Sequence, residues 1–267
     1  MAVDHYENFP VASLLLPPRL RDPVALIYRF AREADDFADE GLHGPDTRLA
    51  KLGAFRSQLA AIERGTLPGD PLFGGIARIV REHKLPLQLF RDLLDAFAQD
   101  VVKNRYASFQ EVLDYCRRSA NPVGRLLLHL FRGATPENLA ASDSICSALQ
   151  LVNFWQDIEV DFAKGRIYLP EDDMRSYGVT ERHIVDRRCD DAWRALMAFE
   201  IARARSMLAA GARLGRALPG RIGLEIRVTV QGGLRILEKL ERSGGDVFRR
   251  RPVLKWFDWP LLLARAW

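Results

Sequence analysis

The chain has 267 residues, 48% of them hydrophobic, so it can bury a sizeable core without disulfides or a structural metal. Its longest apolar stretches, such as 123–131 and 259–263, stop well short of the roughly 20 apolar residues of a bilayer span, and nothing near its start reads as a secretory leader, so a cytoplasmic protein is expected. The formal net charge of +4 suits an anionic substrate or surface, but no aromatic-interleaved basic ribbon and no zinc-finger spacing supports nucleic-acid binding.

Strand-like alternation is nearly missing, whereas apolar residues recur every three and four positions, so the chain reads as all-α. Helices are expected over 22–41, 46–64, 70–84, 86–103, 108–131 with a break near Pro122, 136–162, 190–216, 220–242 and 246–264. Asp22 with Pro23, and Thr135 with Pro136, supply caps and first-turn prolines; Gly41, Gly65 and Gly133 sit near helix ends. Residues 164–179, with Gly165, Pro170 and Gly178, read as an ordered loop. No linker, repeat or low-complexity tract divides the pattern, so one domain over 1–267 is expected. Cys116, Cys146 and Cys189 lack metal-ligand spacing and fit reduced thiols.

Two helices carry paired acids. On the first, at 100° per residue, Tyr28, Arg32, Asp35 and Asp39 fall within about 60° of one another. Carboxylates one turn apart can reach the same or neighbouring magnesium ions, but Glu33, Asp36 and Glu40 surround them, and this motif alone reads rather as a solvated acidic face. On the second, Cys146, Gln150, Asn153, Asp157 and Asp161 form a polar stripe about 80° wide. The rest of that helix is apolar (Leu149, Leu151, Val152, Phe154, Trp155, Ile158), so the stripe either belongs to an internal hydrogen-bond network or binds metal. Magnesium takes few protein carboxylates and completes its oxygen shell with phosphate and water. Two such pairs therefore suit a diphosphate that leaves as a stabilised anion and generates a carbocation.

Asp35-Asp36-Phe37-Ala38-Asp39 with Arg32, and Gln150 to Asp161 continuing through Gly165-Arg166-Ile167-Tyr168-Leu169-Pro170, resemble the squalene and phytoene synthase family. The opening His5 to Phe9 and the run Tyr115-Cys116 to Asn121-Pro122-Val123-Gly124 are similar to the same family, in the same order, over nearly the whole chain. The resemblance implies the all-α isoprenoid synthase fold around a deep pocket, a prenyl diphosphate substrate, and a trinuclear magnesium site on Asp35, Asp39, Asp157 and Asp161, which are also the catalytic residues. It further implies that Arg32, Asn153, Lys164, Arg166, Arg250 and Arg251 engage the diphosphate or its metals, that Gln150 and Tyr168 join the substrate-binding set, and that His5 helps close the mouth.

The opening 3–13 and the tail from Asp246 resemble the bacterial hopanoid-pathway branch, which implies ionisation of presqualene diphosphate, cation rearrangement and capture by water. Three departures from the phytoene-type pattern agree with a separate branch: Arg117 in place of an aromatic, Gln156 in place of a basic residue, and Gly233 in place of a tyrosine. Head-to-head condensation of two prenyl diphosphates is the alternative, and a non-catalytic binding or scaffold protein among squalene-pathway enzymes is a third reading. No Gly-x-Gly-x-x-Gly follows a strand, so no NADPH is expected. The aromatic end from Trp256 to Trp267 reads either as a helix docked on the core or as a peripheral membrane contact.

Overall fold

The computed structural model describes residues 16–39, 44–66 and 69–267, and for Asp39 the backbone alone. His5 and the opening motif lie outside the described residues, as does the Asp39 side chain. All regular structure among the described residues is helical, as expected. None of these helices is long and apolar enough to cross a membrane.

Along the chain run α1 (Pro18–Asp39), α2 (Pro45–Glu63), α3 (Pro71–His83), α4 (Leu87–Val102), α5 (Phe109–Ser119), α6 (Asn121–Leu130) and α7 (Pro136–Gln156). They continue into α8 (Ile158–Ala163), α9 (Glu171–Ser176), α10 (Glu181–Val185), α11 (Asp191–Gly211), α12 (Leu214–Ala217), α13 (Gly220–Arg242), a 3-10 turn (Trp256–Asp258) and α14 (Trp259–Ala266). Helix α1 starts earlier than expected: Pro18 takes the first-turn role assigned to Pro23, which lies inside the helix. The break near Pro122 falls at Ala120, and α6 then opens with proline in its first turn.

Residues 16–103 and 115–143 form one compact unit. Its core is a cluster of phenylalanines from α1 to α4. Phe30, fully buried, meets Phe90 edge-on at 5.1 Å and Phe73 at 6.0 Å, and Phe55 meets Phe73 at 4.8 Å. Such T-shaped pairs add roughly 0.5–1.5 kcal/mol each beyond burial. Gly75 lets α3 come close to α1, since a Cβ there would sit 2.7 Å from Leu26 Cδ2. Tyr115 on α5 donates to Asp100 on α4 at 2.6 Å, so both polar groups are satisfied inside the unit.

Residues 104–114 and 144–267 form the other unit, built on the later part of α7, α11 and α13. Gly233 on α13 packs against α7 and α11: a Cβ there would lie 2.8 Å from Leu149 Cδ2 and 3.1 Å from Leu208 Cδ1. The segment expected as a loop over 164–179 contains the short helix α9. It is held by backbone bonds from Ile167 to Asn104 (3.0 Å) and from Glu171 to Tyr106 (2.9 Å). The expected helix over 246–264 is not formed as such. Gly244 and Gly245 take left-handed conformations (φ 62° and 73°) after α13, Pro252 cannot donate, and helix resumes only at 259.

Candidate active site

The polar stripe is the partly accessible line of a segment that is otherwise buried from Ser147 to Ile158, whereas around Asp161 in α8 Val160 is exposed as well. Leu149, Leu151, Val152, Phe154, Trp155 and Ile158 are buried, while Gln150, Asn153, Asp157 and Asp161 are partly accessible. The single helix expected over 136–162 is interrupted at Asp157 (φ −107°, ψ 13°), which precedes α8. Two bonds carry the helical pattern across the break: Asp157 N–H to Asn153 O at 2.9 Å and Asp161 N–H to Asp157 O at 2.7 Å. The two aspartates thus remain one turn apart.

Asp157 is gripped by Arg251. Both Nε and Nη2 of the guanidinium donate to the carboxylate, the latter at 2.9 Å. One residue earlier, buried Gln156 donates its Nε2 to the carbonyl of Pro252 at 2.6 Å. The structure therefore brings together Asn153, Asp157, Asp161 and Arg251 within one unit, by fastening the 246–255 stretch to the end of α7.

After α8 the chain turns back at Gly165 (φ 82°), where the Arg166 N–H donates to Asp161 O at 2.8 Å and Lys164 N–H to the same carbonyl at 3.0 Å. Lys164 is exposed and Arg166 buried. Tyr168 is buried in a stack, parallel to Phe154 at 3.7 Å and to Tyr106 at 5.5 Å. Its ring holds the Gly-Arg-Ile-Tyr-Leu-Pro tail against the helix that carries the acids.

In the other unit, Tyr28, Arg32 and Asp35 are half-exposed along α1, with Ala34 and Ala38 buried beneath. The cation that paired acids call for is on the same helix: Arg32 meets Asp36 at 2.7 Å and Asp35 at 3.7 Å. Asp39 is the last residue of α1. Arg250 is exposed and lies between Arg249 and Arg251 in the chain.

A second set of residues escaped the sequence reading. Asp258, fully buried, accepts from Lys239 Nζ, from Arg235 Nε at 2.8 Å and from the Lys255 N–H at 2.8 Å. Burial raises its pKa, but the hydrogen bonds from Lys239, Lys255 and Arg235 together outweigh it and hold it at about 2. Lys239 also donates to Val253 O at 2.7 Å, so this cluster fixes the stretch that presents Arg251. Elsewhere in the unit, Glu200 shares Arg203 with Asp173: Arg203 Nη1 lies 3.1 Å from Glu200 and 2.7 Å from Asp173. Burial is the main reason that the Glu200 carboxyl is pushed up to about 8. Neither acid stood out in sequence, because each sits among ordinary helix residues and gains its partners only by folding.

The donor chemistry fits magnesium. Asp35, Asp157 and Asp161 offer partly accessible carboxylate oxygens, the first two beside Arg32 and Arg251, and among the described residues no three His, Cys, Asp or Glu side chains close into a preformed cage. Few protein carboxylates with phosphate completing the shell is the usual magnesium arrangement.

A family profile described as Squalene/phytoene synthase matches residues 2–258. The chain is 35% identical to a hydroxysqualene synthase of Rhodopseudomonas palustris over 88% of this chain and 80% of that protein. A hydroxysqualene synthase of Zymomonas mobilis is 39% identical over 65% of this chain and 58% of that protein. The crystal structure of the squalene synthase HpnC from Alicyclobacillus acidocaldarius superposes with a TM-score of 0.84 at 37% identity, covering 90% of each chain.

Proposed function

This chain belongs to the squalene/phytoene synthase family, and we propose that it acts as a hydroxysqualene synthase, converting presqualene diphosphate and water to hydroxysqualene and diphosphate. The observation that carries this reading is the line of partly accessible Asn153, Asp157 and Asp161, one turn apart where the buried end of α7 runs into α8, with Arg251 on Asp157. The names of the relatives at 35% and 39% identity support the choice of reaction.

In this reading Asp157 and Asp161 of one unit, and Asp35 and Asp39 of the other, are the residues that would hold magnesium, which would supply charge neutralisation for a departing diphosphate. Lys164 and Arg250, both exposed, attract the anion, and Arg32 and Arg251 exchange their carboxylate partners for phosphate oxygens. Gln150 and Asn153 supply neutral polar contacts along the same line of α7. Arg166 and Tyr168, being buried, position the tail that follows Asp161. Water completes the reaction, with no reductant.

The test is incubation of the purified protein with magnesium and either presqualene diphosphate or farnesyl diphosphate, without NADPH. Formation of hydroxysqualene from presqualene diphosphate is the expected result. Consumption of farnesyl diphosphate alone would establish head-to-head condensation instead, and turnover of neither would leave a binding or scaffold protein.

A further inference from the structure

Three of the five tryptophans of the chain, Trp256, Trp259 and Trp267, lie in its last twelve residues, and all three are exposed, whereas Trp155 and Trp193 are fully buried. Trp256 is 83% and Trp267 97% accessible, and Leu263 between them is 49% accessible. Wound at 100° per residue, positions 256, 259, 263 and 267 fall within about 80° of one another. Asp258, Leu262 and Ala266 fall on a different face and are buried. The 3-10 turn and α14 therefore have two apolar sides: one packs on α13, and the other presents large side chains with no cover among the described residues. Soluble surfaces seldom leave a contiguous set of this kind open without a partner.

Charge indicates the partner. Residues 249–267 hold Arg249, Arg250, Arg251, Lys255 and Arg265 against one acid, Asp258. Arg249 pairs with Asp246, Arg251 with Asp157 and Arg265 with Glu238, which leaves Arg250 and Lys255 as the bases of this stretch outside ion pairs among the described residues. Two copies of this chain meeting through the patch would bring like charges together, which opposes self-association. An anionic bilayer would gain from both features, since tryptophan settles at the headgroup level and each basic residue near an anionic surface adds favourable energy.

We propose that the exposed face of the 3-10 turn and α14, with Lys255 beside it, docks on an anionic lipid bilayer. The face lies away from the helical core it packs against, and docking needs no spanning segment. This inference stands on the patch and its charge, independently of which prenyl diphosphate is converted.

The experiment is flotation of the full chain with vesicles of phosphatidylcholine alone and with vesicles containing about a third phosphatidylglycerol, at low and high salt. Expected are partitioning at least about tenfold stronger onto the anionic vesicles, loss of most of that gain in high salt, and a blue shift of tryptophan fluorescence on binding. Trp256→Ser with Trp259→Ser, checked by circular dichroism for an unchanged melt, should reduce partitioning about tenfold or more. Absence of binding to either vesicle, or equal binding by the folded double variant, overturns the proposal. So does a stable dimer in lipid-free solution that the double variant converts to monomer, because the patch is then an interface between copies.

Discussion

Arg251 closes on Asp157 from an extended stretch, while Gln156, the residue before the aspartate, holds Pro252, the residue after the arginine. Gln156 at the end of α7 and Asp157 just after it thus fasten two adjacent positions of a distant segment, in reverse order. The carboxylate proposed above as a metal ligand is thus engaged by a guanidinium.

The pair makes opposite predictions for its two members. Asp157→Asn should lower turnover at least about a hundredfold by removing a metal donor, with a stability change of only about 1 kcal/mol because the pair is partly exposed. Normal turnover by a folded Asp157→Asn protein would remove this residue from the metal site. Arg251→Gln should leave Asp157 without its internal competitor, so magnesium titrated calorimetrically without substrate should bind more tightly than to the wild type. The same variant should show a raised KM for the diphosphate, having lost a phosphate contact. Weaker magnesium binding by Arg251→Gln would show that the arginine does not compete for the carboxylate.

Asp258 supports that arrangement from a distance. Its carboxylate satisfies Lys239, Arg235 and a backbone N–H, so Asp258→Ala leaves Lys239 without its carboxylate and Arg235 with Glu238 alone. A loss of about 3–5 kcal/mol is expected from breaking a buried charged network, together with a raised KM. The pH dependence follows from the depressed pKa of about 2. A carboxyl held below its unfolded value contributes stability that is complete above about pH 4 and lost as pH falls toward about pH 2. Denaturant titrations between those limits should show a shallower acid loss in Asp258→Asn than in the wild type.

Much of this site was legible because its chemistry is local. Asp157, Asp161 and the Gly165 to Pro170 tail lie within one continuous stretch, and the apolar residues between the polar positions marked the stripe before any coordinates. The Asp157 break was not legible, since its two flanking hydrogen bonds keep the same periodicity that a continuous helix would have. The 246–255 stretch misled for a related reason: its apolar spacing suits a helix, but Gly244 and Gly245 end α13 with left-handed turns, and side chains of Gln156 and Lys239 then satisfy the carbonyls of Pro252 and Val253. Asp258 and Glu200 depend on partners 15 or more residues away or on burial, neither of which a helical wheel records.

Gly233 gives the tyrosine-to-glycine departure a physical basis. Its position touches Leu149 and Leu208 so closely that a larger residue must displace core side chains. Gly233→Ala should be nearly neutral, because about 1 kcal/mol gained in helix propensity offsets a few tenths of an ångström of adjustment by leucine ends. Gly233→Leu should cost about 1–3 kcal/mol or more by overpacking. Thermal melts of the two variants separate these outcomes, and a Gly233→Leu protein as stable as the wild type would mean that α13 can move away from α7 and α11 without cost.

Glu200 predicts a pH effect of the opposite sign from Asp258. Burial raises its carboxyl to about 8 despite the neighbouring Arg203, since that single guanidinium already serves Asp173. Between its ordinary value of 4.5 and about 8, the folded protein keeps a proton that the unfolded chain has released. The folded state therefore binds more protons, and stability falls as pH rises through this window, by up to about 1.4 kcal/mol per pH unit where the difference is complete. Glu200→Gln keeps the shape and the neutral charge state without the titration. Its melting temperature should match that of the wild type near pH 5 and exceed it above pH 8. Parallel curves for the two proteins across pH 5–8.5 would mean that Glu200 is ionised in the folded protein, paired with Arg203 at all these pH values.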